Sequence, residues 1–171
     1  MYAREQRILA REAMAQWIGT APWELLITLT DPGMSHPEAM AKRARYLANR
    51  INRHLYGNHW QRRTAGIEYV VAYERQERGS WHAHMLLRLP DHDVDDPAQF
   101  SWKYWQRFAS KLAFDESKAS ANFQRIRNQE AVNLYVSKYV LKDGNVDLSD
   151  SFNPAAPRLF KESLCGSARV H

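Results

Sequence analysis

Two alternating runs separated by a short polar loop, IEYVVAYE at residues 67–74 and HAHMLLRL at 82–89, constrain the fold more than any other stretch of this chain. Side chains on a strand point to opposite faces with a period of two, and the first run is rich in the β-branched and aromatic residues that favour strands. The connecting RQERGSW, residues 75–81, is polar and carries Gly79, so the two runs are predicted to pair as an antiparallel hairpin. Pairing residue 74 with residue 82 sets the register. Ile67, Tyr69, Val71 and Tyr73 then share a nearly all-apolar face with Ala83, Met85, Leu87 and Leu89, which is the core side. The opposite face carries Glu68, Val70, Ala72 and Glu74 with His82, His84, Leu86 and Arg88. A slip of one residue would exchange the two sets. The apolar set therefore decides where the polar one goes, and Glu74 lands beside both histidines.

The remaining elements follow from periodicity. Residues 4–18 read as an amphipathic helix, and WELLITLT at 23–30 alternates and ends at Asp-Pro-Gly, a strand running into a turn. Between 37 and 55 the apolar residues Met40, Ala44, Leu47, Ala48, Ile51 and Leu55 recur at helical spacing. An aromatic-rich helix is predicted over 98–113, a short strand at ANFQRIR (121–127), and a helix over 130–142 ended by Asp143-Gly144. The acidic PDHDVDDP and the segment from 145 onward are expected to be connections or chain ends. The order predicts an α+β fold, a central antiparallel sheet with helices covering one face and the other face left for a site. Residues 1–144 form the expected domain and 145–171 a C-terminal tail.

At 171 residues the chain suits one domain with a real core. Its composition, 44% hydrophobic and 12% aromatic, is globular, and no apolar run approaches the roughly 20 residues of a membrane span. The charged N-terminus lacks the apolar stretch and cleavage site of a signal peptide, and the lone Cys165 has no internal partner. These features point to the cytoplasm. The net charge of +5 is concentrated: between His36 and Arg63 lie Lys42, Arg43, Arg45, Arg50, Arg53, Arg62 and Arg63 against Glu38 alone. That is the footprint of a phosphate-binding face or, equally, a solvated helix exterior.

Two groups of residues carry possible chemistry. His82, His84 and Glu74 on one face of a hairpin make a mixed nitrogen and oxygen half-shell for a divalent ion such as Mg²⁺ or Mn²⁺, with Glu77 in the loop as a competing carboxylate. Histidines two apart also arise as ordinary surface residues. In NLYVSKYVLKDG, residues 133–144, Tyr135 and Tyr139 stack on one helical stripe and Lys138 and Lys142 on the next. Ammonium groups there are expected to lower the phenol pKa and hold a phosphate, as a tyrosine nucleophile requires. Boundary tyrosines at a helix edge satisfy the same spacing.

Together, LLITLT (25–30), WHAHMLL (81–87) and YVSKYVLK (135–142) resemble, in order, the three motifs of HUH endonucleases, specifically rolling-circle replication initiators (Rep proteins) of the two-tyrosine type. The third has the form Tyr-x-x-Lys-Tyr-x-x-Lys known from initiators of small circular-genome phages and related transposases. Glu74, eight residues before His82, is similar in spacing to the acidic metal ligand of some plant-virus Reps. Ala83 stands where the family usually has a bulkier hydrophobic residue, and the chain has no phosphate-loop motif, so unwinding is expected from a separate helicase. The resemblance implies a metal held by His82, His84 and Glu74, and attack by Tyr135 or Tyr139, with Tyr135 the first choice. The products would be a 5′-phosphotyrosine and a free 3′-OH on a single-stranded or extruded origin, with Lys138 and Lys142 assisting. It also suggests DNA contacts from Lys42, Arg45, Arg50 and Arg53 and base stacking on Trp81, although Trp81 suits packing at the hairpin end as well. A two-tyrosine transposase or relaxase domain, or a non-catalytic nucleic-acid-binding module, remains an alternative.

Overall fold

In the computed structural model the described residues are 2–31, 36–62, 66–77, 79–89, 99, 103, 120–130, 132, 135, 138, 139, 146–150 and 152. The hairpin forms in the predicted register. Strand β2 (Glu68–Arg75) pairs with β3 (Trp81–Arg88), Val71 opposite Met85 and Glu74 opposite His82. The turn between them is closed by Gly79 N–H to Gln76 O at 2.9 Å and Gln76 N–H to Ser80 O at 2.8 Å. Gly79 has φ of +86°, a conformation that residues with a Cβ adopt only with strain.

Strand β1 (Leu25–Thr30) adds to the other side of β3, which places Thr28 opposite His84 and Thr30 opposite His82. Strand β4 (Ser120–Arg125) pairs with β1, and β5 (Val146–Leu148) with β2. The sheet is fully antiparallel in the order β4-β1-β3-β2-β5. The histidine strand is therefore central, and its rigidity passes to the side chains it carries. The segment from 145 onward, expected to be tail, supplies a strand of the same sheet, held further by Tyr73 O–H to Asp147 Oδ2 at 2.9 Å and Ser149 Oγ accepting from Tyr69 N–H at 3.0 Å.

One face is covered as predicted. Helix α2 (Pro37–Tyr56) starts on a proline and buries Met40, Ala44, Leu47, Ala48 and Ile51 against Val71, Ala83, Met85 and Leu87. Each such buried side chain is worth roughly 1.5–3 kcal/mol. The helix ends at Gly57, whose φ of +84° lets its N–H reach Arg53 O at 3.1 Å. Buried Asn52 accepts from Ile67 N–H at 2.7 Å and ties α2 to the start of β2.

The other face departs from expectation: half of it is covered too. Helix α1 (Tyr2–Gly19) brings Ala15 and Ile18, with Ala21 and Trp23 beyond it, onto Val70, Leu86 and Val132 to make a second core. The Trp23 indole donates to Ile18 O at 2.9 Å and stacks on Phe152 at 5.3 Å. Val70 and Leu86 are the physical reason, since two large apolar side chains in water would cost several kcal/mol. Below them Glu68 and Arg88, opposite one another in register, form a buried ion pair. Every described residue between 129 and 139 is helical, as predicted; of the expected helix over 98–113 only Gln99 and Lys103 are described, both helical. Among the described residues no helix is long and apolar enough to cross a membrane.

Candidate functional site

The second core fills only the Val70–Leu86 end of its face. The rows beyond it, Ala72–His84–Thr28 and Glu74–His82–Thr30, carry the polar cluster. Each imidazole is tied through Nδ1 to the threonine opposite: Thr28 Oγ1 to His84 Nδ1 at 3.3 Å, and Thr30 Oγ1 to His82 Nδ1 at 3.4 Å. Gln76 Nε2 also approaches His82 Nδ1, at 3.2 Å. On the far side of each ring, His84 Nε2 meets Glu74 Oε2 at 3.3 Å, and His82 Nε2 is buried without a hydrogen-bond partner among the described residues. A threonine hydroxyl both donates and accepts, so this arrangement supports either imidazole tautomer.

Burial lowers the pKa of His84 to about 4, against the opposing pull of the Glu74 carboxylate, with His82 and Lys138 adding to the lowering. The pKa of His82 is lowered by burial as well. Both rings are neutral near pH 7, the state in which a ring nitrogen can bind a metal.

The tyrosine segment lies directly over His84. The Tyr139 ring stacks on the imidazole at 4.1 Å between centroids, and Tyr135 meets it edge-on at 5.5 Å. The two tyrosine rings are 4.4 Å apart. Lys138 Nζ donates to the Tyr139 hydroxyl at 3.4 Å from an exposed position. The Tyr135 hydroxyl is buried beside Thr28 without closing a hydrogen bond. Burial, with Tyr139 and Glu74 adding to it, pushes the Tyr135 phenol up rather than down, so the expected lowering by neighbouring ammonium groups fails there. The segment is anchored at its start, where Gln129 Nε2 donates to Gly19 O and Ala21 O, each at 2.9 Å. This gives α1 a role that its sequence did not suggest: its C-terminal end fixes where the tyrosines sit.

Some predicted residues stand elsewhere. Trp81, offered as a base-stacking platform, packs against the α2-side core, on the face away from His82 and His84. Lys42, Arg45, Arg50 and Arg53 project from α2, with the whole sheet between them and the histidines, and Arg45 pairs with Asp147 at 3.1 Å. Glu77 is exposed in the turn, whereas Glu74 touches His84. Lys142 lies outside the described residues. Thr28, Thr30, Gln76 and Gln129 were not singled out from the sequence. The alternation of LLITLT puts both threonines on one face, but only the β1–β3 pairing gives that face its histidines.

Among the described residues no three His, Cys, Asp or Glu side chains are gathered as metal ligands are. The Glu74–His84 hydrogen bond engages two of the expected donors with each other, and the two imidazole centroids are 6.3 Å apart. The donor chemistry nonetheless fits a divalent ion: two neutral imidazoles with Nδ1 held from behind, one with an orphaned Nε2, and a carboxylate.

Fold and site together define an α+β protein with a two-histidine, two-tyrosine polar site on one face of an antiparallel sheet. Residues 24–144, more than two thirds of the chain, match the family of replication-associated protein ORF2, and the protein belongs to that family. It is a replication-associated protein, consistent with a rolling-circle Rep-type protein. No curated protein and no solved structure matches the chain.

Proposed function

We propose that the protein is an HUH endonuclease of the two-tyrosine type, a site-specific nicking and joining enzyme acting on single-stranded or extruded origin DNA to start rolling-circle replication. One observation carries this reading. His84 from β3 has the Glu74 carboxylate from β2 at 3.3 Å on one edge and the Tyr139 ring at 4.1 Å on its face, so residues of two sequence motifs and the acid between them share one spot. The family match favours replication over transposition or conjugation.

His82, His84 and Glu74 are the residues to hold a divalent cation, Mg²⁺ or Mn²⁺, with the Glu74–His84 hydrogen bond giving way to ligation. When bound, such an ion supplies charge stabilisation at the non-bridging oxygens of the scissile phosphate. A phenol oxygen attacks phosphorus, the P–O3′ bond breaks, and the 3′ oxygen takes up a proton, leaving a 5′-phosphotyrosine and a free 3′-OH. Tyr139 is the readier nucleophile, reversing the order expected from sequence. Lys138 donates to its hydroxyl and would stabilise the phenolate, whereas Tyr135 is buried with a raised pKa. Tyr135 is then placed to take the second transfer. A separate helicase opens the duplex.

The test is incubation of end-labelled origin single strand with the protein and Mn²⁺, followed by a denaturing gel and mass spectrometry of the adduct. The expected result is a covalent adduct that EDTA abolishes, that is lost in Tyr139→Phe, and that persists for the first cut in Tyr135→Phe. Binding of the cognate strand without any adduct refutes the enzyme and leaves a binding module of the same fold.

A further inference from the structure

Beside the tyrosines lies a cavity of about 240 Å³ that the chemistry above does not use. Its floor is the cross-strand pair Leu26 and Leu86, and Ile126 and Val132 add apolar wall from the chain leaving β4. Tyr135, whose ring also meets His84, closes one side. The polar edge comes from Gln124, opposite Leu26 on β4, and Asn128. Along the sheet the Leu26–Leu86 row is one pleat repeat, roughly 7 Å, from the Thr28–His84 row.

We propose that this cavity takes one unstacked base of the DNA single strand, from a nucleotide flanking the scissile phosphate, and so determines where the strand is cut. The proposal rests on the nicking reading for the position of that phosphate. Size supports it: the volume lies below the roughly 300–1,000 Å³ of drug-sized pockets and suits a single flat ring system. The walls suit it as well, because aliphatic and aromatic side chains take the faces of any base. The edge supplies the remaining element, since carboxamides present the paired donor and acceptor that read base edges. Asn128 Oδ1 already accepts from Glu130 N–H at 2.8 Å, which leaves its amide protons to donate, and Gln124 is exposed without a hydrogen bond among the described residues. The single pleat repeat between cavity and His84 is about the reach from a phosphate across one sugar to its base.

The experiment uses the full chain and a single strand enriched by it from a randomised library, with an abasic site walked through the strand. In the unaltered protein one abasic position is expected to weaken binding by roughly 5- to 150-fold, the range for removing one stacked base, and 2-aminopurine at that position should change fluorescence on binding. Ile126→Trp, which fills the cavity mouth, should bind intact and abasic strands alike; Gln124→Trp, from an exposed position, provides the same test should the first variant melt early. Gln124→Ala should keep the abasic penalty but reduce discrimination among bases there. If the filled variants retain the full penalty, or if no abasic position stands out, the proposal is overturned. Adduct formation on the intact strand separates the two readings: adduct without an abasic effect sinks the cavity alone, and an abasic effect erased by filling without any adduct sinks the nicking chemistry alone.

Discussion

Replacing Thr28 by valine removes one hydroxyl at nearly constant volume and isolates what the threonine does for His84. The hydrogen bond removed is Oγ1 to Nδ1 at 3.3 Å, to an imidazole only 7% exposed. A buried polar atom left without a partner costs about 1–3 kcal/mol. The bond is longer than the usual N···O distance of about 2.9–3.0 Å, which puts the expected loss at the lower end, about 1 kcal/mol. For a protein of this size that lowers the thermal midpoint by roughly 2–4 °C. The functional effect should be the larger one. With Nδ1 untethered, the ring no longer holds Nε2 toward the Glu74 side, and loss of a supporting hydrogen bond to a metal-binding histidine weakens metal affinity by roughly 10–100-fold. Isothermal titration with Mn²⁺ and a metal-free thermal melt measure the two effects separately. Thr28→Ser, which restores the hydroxyl, should recover most of the affinity. Unchanged Mn²⁺ affinity in both Thr28→Val and Thr30→Val would refute the idea that the threonines orient the histidines.

Gln129→Ala removes both hydrogen bonds to the end of α1 and should accelerate hydrogen exchange across residues 129–139 while slowing adduct formation, with Mn²⁺ affinity unchanged. Acidification should destabilise the metal-free fold: with the pKa of His84 lowered from 6.5 to about 4, its contribution, on the order of 3 kcal/mol, is fully present above pH 6.5 and is lost as pH falls from 6.5 toward 4. Urea midpoints measured across that window check it, and His84→Gln should flatten the slope. Charge reversal at Lys42 and Arg53, exposed on the far side of the sheet from His82 and His84, should leave adduct formation on a short strand unaltered. On a long strand it should weaken binding and reduce the salt dependence, by a slope of about 1 for each phosphate no longer neutralised.

The hairpin shows how far local rules reach in this protein. A period of two, one glycine in the turn and one apolar face were enough to place Glu74 opposite His82, and the 3.6-residue period of 37–55 was enough to put its apolar stripe on the sheet. The tyrosine spacing likewise places Tyr135 and Tyr139 on one helical stripe, as their 4.4 Å ring separation shows. These are relations within an element or between neighbours joined by a short loop, and the backbone's own repeat determines them.

What the tertiary structure alone decided are the contacts between segments far apart in the chain. Alternation marks Thr28 and Thr30 as one face of a strand but does not say that the strand lies beside β3, more than fifty residues away, where those hydroxyls meet the histidines. The same holds for α1, whose end covers Val70 and Leu86 and holds Gln129, and for β5, which draws the segment past residue 145 into the sheet. It holds also for Trp81 and the basic residues of α2, which strand parity and helix packing put on the face away from the site. Patterning tells each side chain which way to face. Which partner it meets there depends on burying both faces of one five-stranded sheet at once, and that requirement exists only when the whole chain has come together.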